Sequence, residues 1–109
     1  MNFHSLYDQG FARVAAVTLP VHPARPFENA REIIDTAREL DARGVAVGVY
    51  PELCVSGYAI DDLLLQDVLL DTVEKALGSI VEASADLLPL LIVGAPLRKD
   101  NALYNCAVA

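Results

Sequence analysis

Glu52 is the residue in this sequence whose setting most invites chemistry. It follows the apolar run Val45-Ala46-Val47-Gly48-Val49-Tyr50 and Pro51, and it precedes a turn through Ser56-Gly57-Tyr58. The run is apolar and rich in valine, without polar alternation, which suits a central strand covered on both faces. Open α/β sheets place their ligand sites beyond the C-terminal ends of such strands. Pro51 has no N–H to donate and marks the last rung, so Glu52 is expected at the rim of the sheet, partly desolvated. A carboxylate in such a position can have a raised pKa and act as a general base. The plainer alternative is a salt bridge at a strand end.

Other reactive side chains are less well placed. If the strand continued past Pro51, Glu52 and Cys54 would share a face, but with Cα atoms roughly 6.6 Å apart. That is too far for direct proton transfer. Cys54 and Cys106 sit in apolar contexts without CxxC spacing or nearby histidines, so both read as buried thiols rather than as a disulfide or zinc ligands. Lys99 falls in a polar turn between strands. His4 and His22 flank loops and prolines without an acid or serine to complete a triad, and read as surface or packing residues. Asp61, Asp62, Asp67, Asp71, Glu74, Glu82 and Asp86 read as solvated helix faces, not as a metal site.

The elements that must position Glu52 follow from the pattern. Phe11–Leu19 reads as an interior first strand closed by Pro20. Pro26 and Glu28 suit a helix start. The helix runs to about Arg43, with Ala30, Ile33, Ile34, Ala37 and Leu40 on one face and Gly44 as its stop. Strand, helix and strand make a right-handed βαβ unit with parallel strands. Ala59–Asp86 is helical, as one helix or two, with a stripe of Leu70, Val73, Leu77, Ile80, Val81 and Ser84. Leu90–Pro96 is a third buried strand broken by Gly94 and Pro96, Arg98–Asn101 a turn, and Leu103–Ala109 a fourth strand. The expected order is β-α-β-α-β-β.

A chain of 109 residues is one domain at most. With 54% hydrophobic residues and no Trp, its core must be aliphatic. The net charge of −7, with only eight Lys and Arg, argues against a nucleic-acid partner. No apolar run approaches the ~20 residues of a membrane span, and the N-terminus lacks the character of a signal peptide. No membrane partner and a cytoplasmic setting are expected. Because the chain stops inside an apolar run, it is expected to be a piece of a longer protein.

These residues resemble a known family. PEL and SGY after a buried strand, the leading FARVAAVTL and the later LLIVGAPL are similar to the opening of the nitrilase, or carbon–nitrogen hydrolase, superfamily. Within it, SGY followed by Asp61-Asp62-Leu63-Leu64-Leu65, the N-terminal SLYDQGFARVAA and DLLPLLIVGAPLRKDNALYN resemble the glutaminase domains of two-domain bacterial glutamine-dependent NAD synthetases. The resemblance covers nearly the whole chain and implies the first part of an αββα sandwich. It departs at Tyr50, where the family often has Phe, and at Cys54-Val55 inside the motif.

The resemblance implies a Glu, Lys, Cys triad in which Glu52 is the general base, with the lysine and cysteine downstream of Ala109. It implies that Tyr58 lies near a glutamine pocket; a ring packed beside the turn is the alternative. Gly57 permits a turn. No cofactor or metal is expected in these 109 residues. The resemblance implies that ATP and magnesium belong to an absent synthetase domain that amidates nicotinate adenine dinucleotide with ammonia from glutamine, in a full-length homo-oligomer. The alternatives are a stand-alone amidase of the same superfamily and a non-catalytic α/β interaction domain.

Overall fold

Helix α1 spans Pro26–Ala42 and begins where the sequence predicts, with Pro26 at its first position and Glu28 in its first turn. The structure, a computed structural model, describes residues 5–109, so His4 lies outside the described residues. Ala30, Ile33, Ala37 and Leu40 are buried on one face of α1, and Ile34 packs beside them. Gly44 follows the helix with φ +68°, and its amide bonds the Asp41 carbonyl.

The strands are β1 (Val14–Ala16), β2 (Val47–Val49), β3 (Leu90–Lys99) and β4 (Ala102–Val108), lying side by side in that order. β1 with β2 and β2 with β3 pair in parallel, while β3 and β4 form an antiparallel hairpin. The hairpin turns at Asp100 and Asn101, both in the left-handed region, as a tight two-residue loop requires. Between β2 and β3 the chain makes a short 3₁₀ turn, Asp61–Leu65, and then α2, Asp67–Ser84. The question of one helix or two is thus resolved as two pieces, separated at Gln66, whose backbone is extended. Arg98, near the end of β3, pairs with Asp67 at 2.6 Å and with Asp71, tying the first turns of α2 to the hairpin.

Both helices pack on one face of the sheet. The core there joins Ala30, Ile33 and Ala37 of α1, Val73, Ala76 and Ile80 of α2, and Leu91, Val93 and Ala95 of β3. Each large aliphatic side chain buried this way contributes about 1.5–3 kcal/mol. In register on the opposite face stand Val14, Val47 and Leu90, then Ala16, Val49 and Ile92. That face has no covering layer among the described residues: Val14 is 66% exposed, Leu90 52% and Val49 44%.

Three expectations are corrected. β1 is an edge strand, shorter than Phe11–Leu19 and exposed at Phe11 and Val14, and β2 is interior to the sheet but open on one face. Apolar character at every position therefore reflected two faces of which only one is covered here. β3 runs unbroken through Gly94 and Pro96. Beyond Ile92 it has lost β2 as a ladder partner, and a proline is tolerated where one strand edge is free of the sheet ladder. In α2 the buried positions are Leu69, Leu70, Val73, Ala76 and Ile80, whereas Val81 is exposed.

Candidate active site

The ladder ends as Pro51 dictates. The Tyr50 amide bonds the Ile92 carbonyl, and from Glu52 to Ser56 the chain turns. Four backbone hydrogen bonds shape this turn: Cys54 N–H to Pro51 O, Ser56 and Gly57 N–H to Leu53 O, and Val55 N–H to Gly94 O. Leu53 takes φ +51° to make it, a left-handed conformation that costs a leucine of order 1–3 kcal/mol and that the surrounding bonds and its burial maintain.

Two side chains hold the turn against the rest of the fold, and one absent side chain admits it. Asn29, fully buried on the apolar face of α1, accepts from the His22 amide at 2.6 Å and donates to the His22 carbonyl at 2.8 Å and the Val55 carbonyl at 2.9 Å. Tyr50 donates to the Ile33 carbonyl and shares a 2.9 Å hydrogen bond with Thr36, so the end of β2 is pinned to α1; burial raises the pKa of its phenol. Gly94 lies directly beneath the turn. A Cβ there would collide with Leu53 N and approach Pro51 O to 2.7 Å and Glu52 C to 2.9 Å.

The result is that Glu52 stands on the open face of the sheet, at the end of interior strand β2, in a cleft of about 300 Å³ lined by Val49, Pro51, Ile92, Gly94, Asn105 and Ala107 among others. It is exposed, not partly desolvated as the sequence suggests, because no layer covers this face. Its partner is not a cation. The Asn105 side-chain amide donates to Glu52 Oε1 at 2.5 Å, across β3 from β4, and Oε2 has no partner among the described residues.

Cys54 points elsewhere. It is 1% exposed on the inner side of the turn, its Sγ 3.8 Å from the Gly94 carbonyl, and burial raises its pKa. Glu52 and Cys54 are thus separated by the turn. Cys106 is half-buried, not core, because β4 is the other edge of the sheet. Lys99 is exposed at the end of β3 beside the hairpin turn. Tyr58 is 68% exposed just after Gly57 (φ +101°), so its ring is not packed beside the turn. His22 has Glu28 and Glu32 within 3.7 Å, carboxylates on α1 that spacing alone did not bring to it.

Asn29, Leu53 and Asn105 were not singled out from sequence, and Gly94 was read only as a break in the third strand. Two carried a signal: Asn29 interrupts the apolar stripe that runs from Pro26 to Leu40, and Asn105 is the one amide in the apolar strand LYNCAVA. Among the described residues no group of His, Cys, Asp and Glu is arranged to hold a metal ion, and no helix is long and apolar enough to cross a membrane.

No family model matches the chain. Individual proteins do. It is 54% identical over 108 residues to the glutamine-dependent NAD(+) synthetase of Mycobacterium tuberculosis, a match that covers 99% of this chain and 16% of that one. The crystal structure of a glutamine-dependent NAD(+) synthetase from Cytophaga hutchinsonii superposes with a TM-score of 0.80 at 27% identity, over 88% of this chain and 16% of that chain. An amidase from Nesterenkonia shares the fold at TM-score 0.63 and 23% identity, over 78% of this chain and 32% of that chain. The chain thus spans about a sixth of the length of the synthetases it matches.

Proposed function

Because the chain belongs to the glutamine-dependent NAD(+) synthetase family over nearly its whole length, we propose that it is the first part of a glutaminase domain and that Glu52 is the general base of that domain. The observation that supports this most directly is the placement of Glu52. It stands at the C-terminal end of an interior strand, on the open face of the sheet, with one carboxylate oxygen held by a neutral donor and the other unengaged.

In this reading Glu52 takes the proton of a cysteine thiol, and the thiolate sulfur attacks the side-chain carboxamide carbon of glutamine. A thiol is mostly protonated near neutral pH, so a base beside it raises the fraction able to attack. A lysine stabilises the oxyanion. As the C–N bond breaks, the proton on Glu52 goes to the departing ammonia and a thioester remains. Glu52 then takes a proton from water, whose oxygen attacks the thioester carbon; as the C–S bond breaks the proton returns from Glu52 to the sulfur, glutamate leaves, and the thiol and the carboxylate are both restored.

Neither cysteine of this chain suits the nucleophile's place: Cys54 is sealed inside the turn, and Cys106, though it borders the same cleft, is opposite Ala95 of the helix-side core and alternates away from Asn105 and Ala107. Both the nucleophile and the lysine are assigned to residues outside these 109. Tyr58, exposed at the end of the turn, is assigned to the glutamine pocket. ATP and magnesium are not assigned to residues of this segment. They belong with a synthetase domain, outside this segment, that uses the ammonia to amidate nicotinate adenine dinucleotide in a cytoplasmic homo-oligomer.

The test uses the full-length protein. Glu52→Gln keeps the shape but cannot take the thiol proton, so glutamine-driven NAD formation is expected to fall by about 10²–10⁴. Formation driven by an ammonium salt needs no thiol attack and stays near wild type. A glutamine-driven rate within a few-fold of wild type would remove Glu52 from the mechanism; equal loss of both rates would mark a structural role instead.

A further inference from the structure

We infer that Asn105 is a positioning residue for Glu52: it orients the carboxylate for proton transfer from a strand separated from it by β3. This rests on the reading of Glu52 as general base. Three features of the fold converge on the pair. Opposed residues of an antiparallel pair share a face, and the register sets Asn105 against Pro96 and Ala107 against Gly94. Asn105, Ala107 and Gly94 thus lie on the open face. Gly94 has no side chain, so the Pro51–Leu53 backbone rests on β3 itself and carries Glu52 towards β4. Asn105 closes the gap, donating from Nδ2 to Oε1 at 2.5 Å.

The chemistry of the donor matters as much as its position. A lysine or arginine there would form an ion pair and oppose protonation of the carboxylate, which a general base must accept in every turnover. A neutral amide fixes the plane of the carboxylate with a weaker preference for the charged form. It also occupies one oxygen only, which leaves Oε2 as the atom that takes the proton. The same bond links the β2 turn to the hairpin, so the position of the base is set by β4 as well as by its own strand. Proton transfer needs heavy atoms within hydrogen-bond reach, and a displacement of about 1 Å is enough to cost on the order of 10²-fold in rate.

The experiment uses the full-length protein with Glu52→Gln measured alongside. In Asn105→Ala, kcat for glutamine-driven turnover is expected to fall about 10–100-fold, KM for glutamine to stay within about threefold, and the ammonium-driven rate to be unchanged. Asn105→Asp, isosteric but placing a second carboxylate against the first, is expected to be at least as impaired. Asn105→Gln, which still offers an N–H, is expected to regain part of the loss. Should Asn105→Ala fail to fold, the isosteric Asn105→Asp decides on the same criteria. A kcat within about threefold of wild type in Asn105→Ala, while Glu52→Gln loses at least 100-fold, overturns the positioning role and leaves the base intact. So does equal loss of the glutamine-driven and ammonium-driven rates. Retained activity in Glu52→Gln overturns the reading beneath it.

Discussion

At Cys54, burial and the 3.8 Å approach of Sγ to the Gly94 carbonyl leave a thiol that is enclosed and disfavoured as thiolate. Burial penalises the charged form, so the pKa lies above that of a free thiol and the thiolate fraction at any given pH is lower. Alkylation of the folded full-length protein should therefore leave Cys54 unmodified at neutral pH, after Cys106, which is half-buried, has begun to react. The labelling rate of Cys54 should rise only above the ordinary thiol range near about pH 8.5. Peptide mapping after timed iodoacetamide exposure reads both sites at once. Rapid modification of Cys54 at pH 7 would contradict its enclosure. That Glu52 does not pair with Cys54 was legible from their spacing, roughly 6.6 Å between Cα atoms on a strand; the turn that takes Cys54 to the inner side was not. The exposure of Glu52 was not legible, since it depends on what covers the sheet, and an apolar strand reads the same whether its second face is covered or open.

The turn from Pro51 to Tyr58 is held by elements distant in sequence, and the two positions that matter most for it are Asn29 and Gly94. Asn29 makes three hydrogen bonds from a fully buried side chain. Asn29→Ala leaves the His22 amide and the carbonyls of His22 and Val55 without this partner, and leaving a buried polar group unsatisfied costs about 1–3 kcal/mol. A clear fall in the melting temperature is expected; an unchanged melt would mean that water replaces the amide. Gly94→Ala acts by collision. The added Cβ meets backbone atoms of Pro51, Glu52 and Leu53, which have no flexible end to swing away. The expected outcome is a drop in glutamine-driven turnover of at least tenfold, with the ammonium-driven rate retained if the rest of the fold is intact. Helical periodicity, end signals such as Pro26 and Gly44, and apolar runs bounded by prolines and turn residues made α1, the βαβ unit and the final hairpin readable. They failed where long-range pairing decides: at β3, which tolerates Pro96 because β2 has already ended, and at β1, whose length is set by its three-residue register with β2.

On the scale of the whole molecule, the unequal faces of the sheet are the dominant feature. The helices bury one face, while Val14, Val47, Val49, Leu90 and Ile92 form an apolar band on the other. Contiguous exposed apolar surface of this kind marks a surface that another layer covers. In the αββα arrangement that the resemblance implies, a second sheet lies there. Residues 1–109 expressed alone should then bind a hydrophobic dye such as ANS and self-associate, despite a net charge of −7. Salt screens that charge repulsion over about 8–10 Å near physiological strength, so association should increase as salt is added. β4 adds a free strand edge that favours the same outcome. Replacing Val49 and Leu90 by lysine separates the two causes. Both side chains are already about half exposed, so the helix-side core is untouched. If the apolar face drives association, the double variant should be less associated by sedimentation and bind less dye, with its circular dichroism spectrum unchanged. Association unaffected by the two lysines would locate the contact at the β4 edge, and a monomeric parent segment without dye binding would show that the face needs no covering layer.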